Sequence, residues 1–248
     1  MNITQILHAA LDLLYPPHCA VCEKPFGEGE RAFLCCDCDA KIERIDQSHV
    51  CRCGLPLPEV LDLCPECARS ERAFEQIRSF GWYEERDEDH VLSALIKIFK
   101  YGGERALAPL LTSYLDHAGQ SFRPLVEQIT FVPMHYKKER ERSFNQAELL
   151  ARGLGRLWGI SVVRALQKVK ETKPQASLPY EARRENVRGA FGLAKFPPCA
   201  SILIVDDVCT STATLTECTR VLKEGGIHRV YGLTVARAAP KNIELEDV

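Results

Sequence analysis

No stretch of this chain approaches the roughly 18 consecutive apolar residues that a membrane-spanning helix needs. The first fifteen residues lack the basic region that opens a secretion signal, and they carry Asp12, which argues against export. Net charge is almost absent as well, at −2 over 248 residues, so the overall balance selects no partner. Beyond four cysteine pairs there is no internal repeat. These absences predict a cytoplasmic protein with no membrane association, in a compartment that keeps thiols reduced. What is present is ordinary for a globular chain with a buried core: 46% hydrophobic and 27% charged residues.

Residues Ile3, Ile6, Leu7, Ala10, Leu11 and Leu14 recur at helical spacing, and Pro16-Pro17 ends the run. The polar face of this segment holds no Lys or Arg. A helix docked on the protein is therefore expected, rather than one lying on a membrane. Two regions are predicted: 1–72, comprising this helix and a Cys-rich module, and 73–248.

Nine of the twelve cysteines fall between Cys19 and Cys67. They form the pairs Cys19/Cys22, Cys35/Cys38, Cys51/Cys53 and Cys64/Cys67, with Cys36 left over. Two thiolates two or three residues apart grip one tetrahedral zinc from a tight turn. Gly54 follows the third pair, where such a turn needs a permissive backbone. Eight thiolates suffice for two closed, structural sites. Sequential pairing, first with second and third with fourth, is preferred over an interleaved cross-brace. His18 and His49 are nearby substitutes. Zinc ribbons often present a surface for protein or nucleic acid, and nothing in the spacing says which.

The second region alternates strands and helices, which indicates an α/β domain with a largely parallel sheet. Strands are expected at 77–83, 129–133, 160–163, 201–205 and 229–236, and helices at 87–99, 104–117, 144–158 and 213–224. Gly225-Gly226 supplies a helix stop. Segment 168–189 reads as a long loop. Met134 to Ala190 holds thirteen Lys/Arg and six Glu, a local +7. Such a stretch suits either one anionic ligand or a solvated face.

The most informative segment is Ser201 to Thr214. A β-rich apolar run leads into Asp206-Asp207, then into Thr210-Ser211-Thr212-Ala213-Thr214 and a helix. Unpaired N–H groups and the helix dipole favour an anion at such a turn. The hydroxyls add bonds to phosphate oxygens. The carboxylates stand at the carboxyl end of a strand, where open α/β sheets bind ligands, and can accept from a ribose diol. Lys97 and Lys100, at a helix end before Tyr101-Gly102, either reach that phosphate or complement the helix terminus. No strong Brønsted base stands out.

Ile202 to Leu215 resembles the signature by which type I phosphoribosyltransferases bind phosphoribosyl pyrophosphate (PRPP). Leu13–Cys22, Leu95–Gly102, Val132–His135, Arg142–Ala147, Lys173–Leu178 and Arg183–Phe191 resemble, in that order, the ComF family of competence protein F and GntX-type proteins. The resemblance implies a type I phosphoribosyltransferase fold and PRPP, or another phosphorylated ribose, bound with Mg²⁺. It implies a pyrophosphate loop at Met134–Arg142, containing His135, Lys137, Lys138, Arg140 and Arg142. It also implies a mobile catalytic loop at Lys168–Gly189, with Lys173, Gln175, Arg183, Arg184, Asn186 and Arg188. Arg142, Arg184, Asp206 and Asp207 are the expected catalytic residues. Asp206, Asp207, Thr210 to Thr214, Lys100, Lys137, Arg140 and Gln175 are the expected PRPP ligands. Two departures stand out: Thr212 and Ser143 occupy positions where the family usually has Gly. Two functions remain open. One is pentosyl transfer to an unknown acceptor in nucleotide metabolism. The other is a non-catalytic PRPP sensor or binding module, whose partners would be single-stranded DNA or a protein of the competence machinery, in DNA uptake or utilisation.

Overall fold

The computed structural model describes residues 18–26, 33–69, 73–84, 87, 89–172 and 180–239, with the backbone alone for residues 136, 137, 142, 180 and 181. The expected amino-terminal helix lies outside the described residues.

Five β-rich runs pair in parallel: β1 (Gln76–Tyr83), β2 (Gln128–Phe131), β3 (Ser161–Val162), β6 (Ser201–Cys209) and β7 (Arg229–Ala238). Their spatial order is β1-β7-β6-β2-β3. The central strand β6 is wholly buried from Ser201 to Val205, as a parallel sheet covered on both faces requires. Leu203 and Val205 face one core, which contains Phe99, Leu111, Leu115 and Leu154. Ile202 and Ile204 face the other, which contains Leu215, Cys218 and Leu222. Helices α3 (Val91–Tyr101), α4 (Ala108–Gly119) and α6 (Gln146–Trp158) supply the first core; α8 (Ala213–Glu224) supplies the second. The chain lays β2 and β3 outward and then returns to insert β6 between β2 and β7. That reversal puts a topological switch point at the carboxyl ends of β2 and β6, the usual position of a ligand crevice in such sheets.

The local signals are consistent with these boundaries. Asn145 Oδ1 accepts from Glu148 N at 3.3 Å to cap α6, and Gly159 ends that helix at φ 71°. Helix α8 runs over 213–224 as expected and stops at Gly225-Gly226.

Two expected loops contain structure. Segment 134–142 includes helix α5 (Tyr136–Arg142). Segment 168–189 begins on strand β4 (Leu166–Lys168) and includes helix α7 (Tyr180–Val187). Helix α5 is built of Lys, Glu and Arg, good helix formers without an apolar stripe. In α7, Val187 is the one buried side chain among those described. Neither helix could announce itself by hydrophobic period. Strand β4 pairs antiparallel with β5 (Phe191–Leu193) beside the main sheet.

The Cys-rich region carries two short helices, α1 (Cys36–Ala40) and α2 (Pro65–Arg69). It lies along β1, which β7 pairs on one side only. Ile77 N donates to Arg52 O at 2.7 Å, Trp82 N to Glu43 O at 3.0 Å, and Ile45 N to Phe80 O at 2.9 Å. Backbone groups of the edge strand are thus satisfied rather than left as a template for aggregation. The approach is close at Gly81, where an added Cβ would sit 2.8 Å from Glu43 O and 2.7 Å from Leu92 Cδ2. Gly81→Ala is expected to destabilise the chain by about 1–3 kcal/mol through overpacking. This would be read as a Tm lowered by several degrees; an unchanged Tm would show that the contact is not tight.

Candidate functional site

The eight expected ligand cysteines form two groups, Cys19/Cys22/Cys35/Cys38 and Cys51/Cys53/Cys64/Cys67, with all Sγ atoms of a group within 4.8 Å of one another. The pairing is sequential. Cys22 and Cys35 Sγ stand 3.6 Å apart, Cys53 and Cys64 Sγ 3.8 Å apart. A tetrahedron with Zn–S bonds of about 2.3 Å has edges of about 3.8 Å, so both groups fit zinc and neither pair is a disulfide. Cys36 is exposed and outside both groups. His49 Nε2 lies 2.8 Å from Leu61 O, and neither it nor His18 belongs to a group.

Each first knuckle turns through a left-handed residue after its second cysteine: Glu23 at φ 59° and Gly54 at φ 82°. Burial pushes the Cys19 thiol up, but N–H groups of Cys22, Cys35 and Val21 outweigh it and hold the thiol at about 6, favouring the thiolate. Metal analysis should give two zinc ions per chain. Gly54→Ala adds a Cβ 2.8 Å from Ile77 O at a positive φ. It should drop the content to one, and retention of two would show that the second knuckle tolerates a side chain.

The second site lies in the crevice. Strand β6 continues past its apolar half through Asp206 and Asp207 to Cys209. Asp207 N donates to Asp206 Oδ1 at 2.9 Å. Lys100 Nζ, from the last turn of α3, meets Asp207 Oδ1 at 2.9 Å with both side chains largely covered. Burial pushes Lys100 down, and the nearby Asp207, Asp206 and Tyr83 outweigh it and raise it. Gln146 Nε2 donates to the Lys100 carbonyl at 3.5 Å, which ties the start of α6 to this helix end. Burial, then the charge of Asp207, pushes Asp206 up to about 7 against the pull of Lys100 and Lys168.

The turn after Cys209 is well packed, with Ser211, Thr212 and Ala213 buried and Thr210 and Thr214 half-buried. Thr212 stands at φ 59°, ψ −6° as the N-cap of α8. A β-branched residue is strained there, at a cost of about 1–3 kcal/mol. Ser143, the other departure from Gly, also keeps a left-handed conformation, at φ 64°. Its carbonyl accepts from Arg105 Nη2 at 2.6 Å, and Arg105 lies over the Phe144 ring at 4.8 Å. Both residues thus hold a left-handed conformation that glycine adopts at least cost.

Lys168 was not among the expected ligands. It sits on β4 above Phe191, at 5.4 Å from the ring centroid. Burial and Lys138 push it down, while Cys218 and Asp206 pull it up. The local +7 of the sequence was the available signal, but it did not separate this lysine from solvated ones. Arg152 and Arg164 of the same stretch instead pair with Glu148 at 2.7 and 2.8 Å. His135 is buried at the N-cap of α5. Arg140 and Arg184 are exposed. The side chains of Lys137 and Arg142, and all of Lys173 and Gln175, lie outside the described residues.

The shift on Asp206 has a stability consequence. Between the ordinary carboxylate range and about 7, the folded chain holds a proton that the unfolded chain has released. That contribution is complete below the unfolded value and is lost as pH rises through the folded one. Asp206→Asn lacks the charge and keeps an oxygen for Asp207 N. Its stability should gain on wild type by on the order of 1–2 kcal/mol as pH rises from about 5 to about 8. Thermal melts with a pH-independent difference would contradict this.

A double zinc ribbon domain model matches residues 10–68. Competence protein F of Haemophilus influenzae is 30% identical over 214 residues, spanning 83% of this chain and 90% of the relative. DNA utilization protein YhgH of Escherichia coli strain K12 is 27% identical over 223 residues, spanning 86% and 94%. Among solved structures, orotate phosphoribosyltransferase from Aeropyrum pernix covers 57% of this chain and 76% of its own at 14% identity, with a TM-score of 0.35. Identity of 30% sustained over 90% of the relative's length is whole-chain homology, and this chain belongs to the competence protein F family.

Proposed function

We propose that the crevice binds PRPP with Mg²⁺ and transfers its phosphoribosyl group to an acceptor, in the setting of competence or DNA utilisation that the relatives' names state for those proteins. One observation carries the reading: a single strand, β6, buried through its first half, carries two adjacent carboxylates near its carboxyl end and leads through Cys209 into a packed hydroxyl turn that starts α8. The turn's N–H groups and the helix dipole suit the 5-phosphate. Asp206 and Asp207 suit the 2- and 3-hydroxyls of the ribose. Lys100, already held against Asp207, and Lys168 supply positive charge for the departing pyrophosphate. Mg²⁺, when bound beside the two aspartates, would supply further neutralisation of the diphosphate. Charge stabilisation of this kind is usually the largest catalytic contribution. Asp206, pushed up to about 7, also offers a proton acceptor suited to neutral pH, which the bare sequence did not suggest.

Thr212 favours a second reading. A β-branched residue in the turn limits how closely a phosphate approaches the backbone, which suits a PRPP sensor that binds without transfer. Its partners would then be nucleic acid or protein held through the ribbons.

Calorimetric titration with PRPP, with and without Mg²⁺, tests the site. Wild type should bind with Mg²⁺. Loss of two charged contacts in Asp206→Ala/Asp207→Ala, at about 1.5–3 kcal/mol each, should weaken binding at least about 100-fold. Absence of heat from wild type would sink the PRPP reading. Pyrophosphate release across a panel of bases then separates transferase from sensor.

A further inference from the structure

Arg237 lies near the end of β7 and is only 7% exposed. Its Nη1 donates to the Cys53 carbonyl at 2.6 Å and stands 3.5 Å from Cys209 Sγ. Its Nη2 stands 3.7 Å from Cys53 Sγ. Cys53 belongs to the second cysteine group. Cys209 is the last residue of β6, pairs in register with Arg237, and directly precedes Thr210. One buried guanidinium therefore touches both a zinc-type cluster and the root of the hydroxyl turn.

A buried cation needs a counter-charge. Four thiolates around Zn²⁺ carry a net charge of −2, so a loaded cluster adds negative charge a few ångströms from the guanidinium. An emptied cluster no longer fixes the knuckle whose Cys53 carbonyl and Sγ hold the guanidinium. Loading of the cluster thus bears on whether Arg237 keeps its place, and that place bears on Cys209 and the turn beyond it. The first cluster offers a control within the same molecule. Its Cys19, Cys35 and Cys38 pack in the opposite core with Phe80.

We propose that Arg237 is a positioning residue that couples zinc in the second ribbon to ligand binding at Thr210–Thr214. Zinc and PRPP then strengthen each other's binding. The inference rests on the reading of that turn as the phosphate site. Coupling between binding equilibria is reciprocal, and a factor of about tenfold is typical.

The test is an equilibrium competition for zinc on the full chain, using a zinc-selective chromogenic chelator in excess Mg²⁺, with and without PRPP. In wild type, PRPP should make one of the two zinc ions about tenfold harder to remove and leave the other unchanged. Arg237→Met should abolish that PRPP-dependent difference, and Arg237→Lys should restore part of it. A purely structural arginine could lower zinc affinity or Tm when replaced, but it would leave the difference itself intact. If the methionine variant does not fold, the wild-type comparison still decides. PRPP that binds wild type while neither ion is protected overturns the coupling. Equal protection of both ions overturns it too, since that reports general stabilisation. Failure of PRPP to bind wild type at all, seen separately by calorimetry, overturns the reading of the turn and this inference with it.

Discussion

The side of β1 that β7 does not pair is the constraint on which the arrangement turns. An edge strand leaves N–H and C=O groups that must find partners or water. Here Ile77, Phe80 and Trp82 find theirs in Arg52, Ile45 and Glu43. Those partners are segments of the cysteine-rich region, so covering the edge decides where the ribbons sit. One consequence is that the two clusters join different cores. The first packs with Phe80 and α4, the second with Ile77 and the face of the sheet that carries α8.

The Asp206-Asp207 site follows from the other end of the same sheet. Inserting β6 between β2 and β7 brings the Asp206-Asp207 end of one strand beside the Val132–His135 end of another. Two adjacent carboxylates in a covered position repel, and the fold answers with Lys100 across Asp207. The crevice thus carries its own counter-ion before any ligand arrives.

How much of this was legible depended on whether a residue type has a position-specific job. Eight cysteines at knuckle spacing could only be explained together, and they stand in two groups. The β6–turn–α8 unit was readable because an apolar run, two acids and a hydroxyl cluster fall in unbroken order. Helices α5 and α7 were not, because polar helices held by a few anchors, such as Gly189 N on Glu217 Oε1 at 2.8 Å, leave no hydrophobic period. Lys168 was hidden for a related reason. A lysine that feels a carboxylate from a strand almost forty residues on looks, in sequence, like any other lysine. The left-handed backbone of Thr212 and Ser143 was hidden too, since neither residue type prefers it and the surroundings impose it.

Cys53 and Arg237 stand 184 residues apart. At a synthesis rate of about 5–20 residues per second, roughly 10–40 s separate their emergence. All four thiolates of the second ribbon exist in the nascent chain long before the arginine that will lie against one of them. The edge partner β1 follows the ribbons within about ten residues, whereas β7, which carries the arginine, is the last of the described strands to be made. The order of synthesis therefore completes the ribbon's thiolates and their first backbone partner, β1, well before the guanidinium that packs against Cys53.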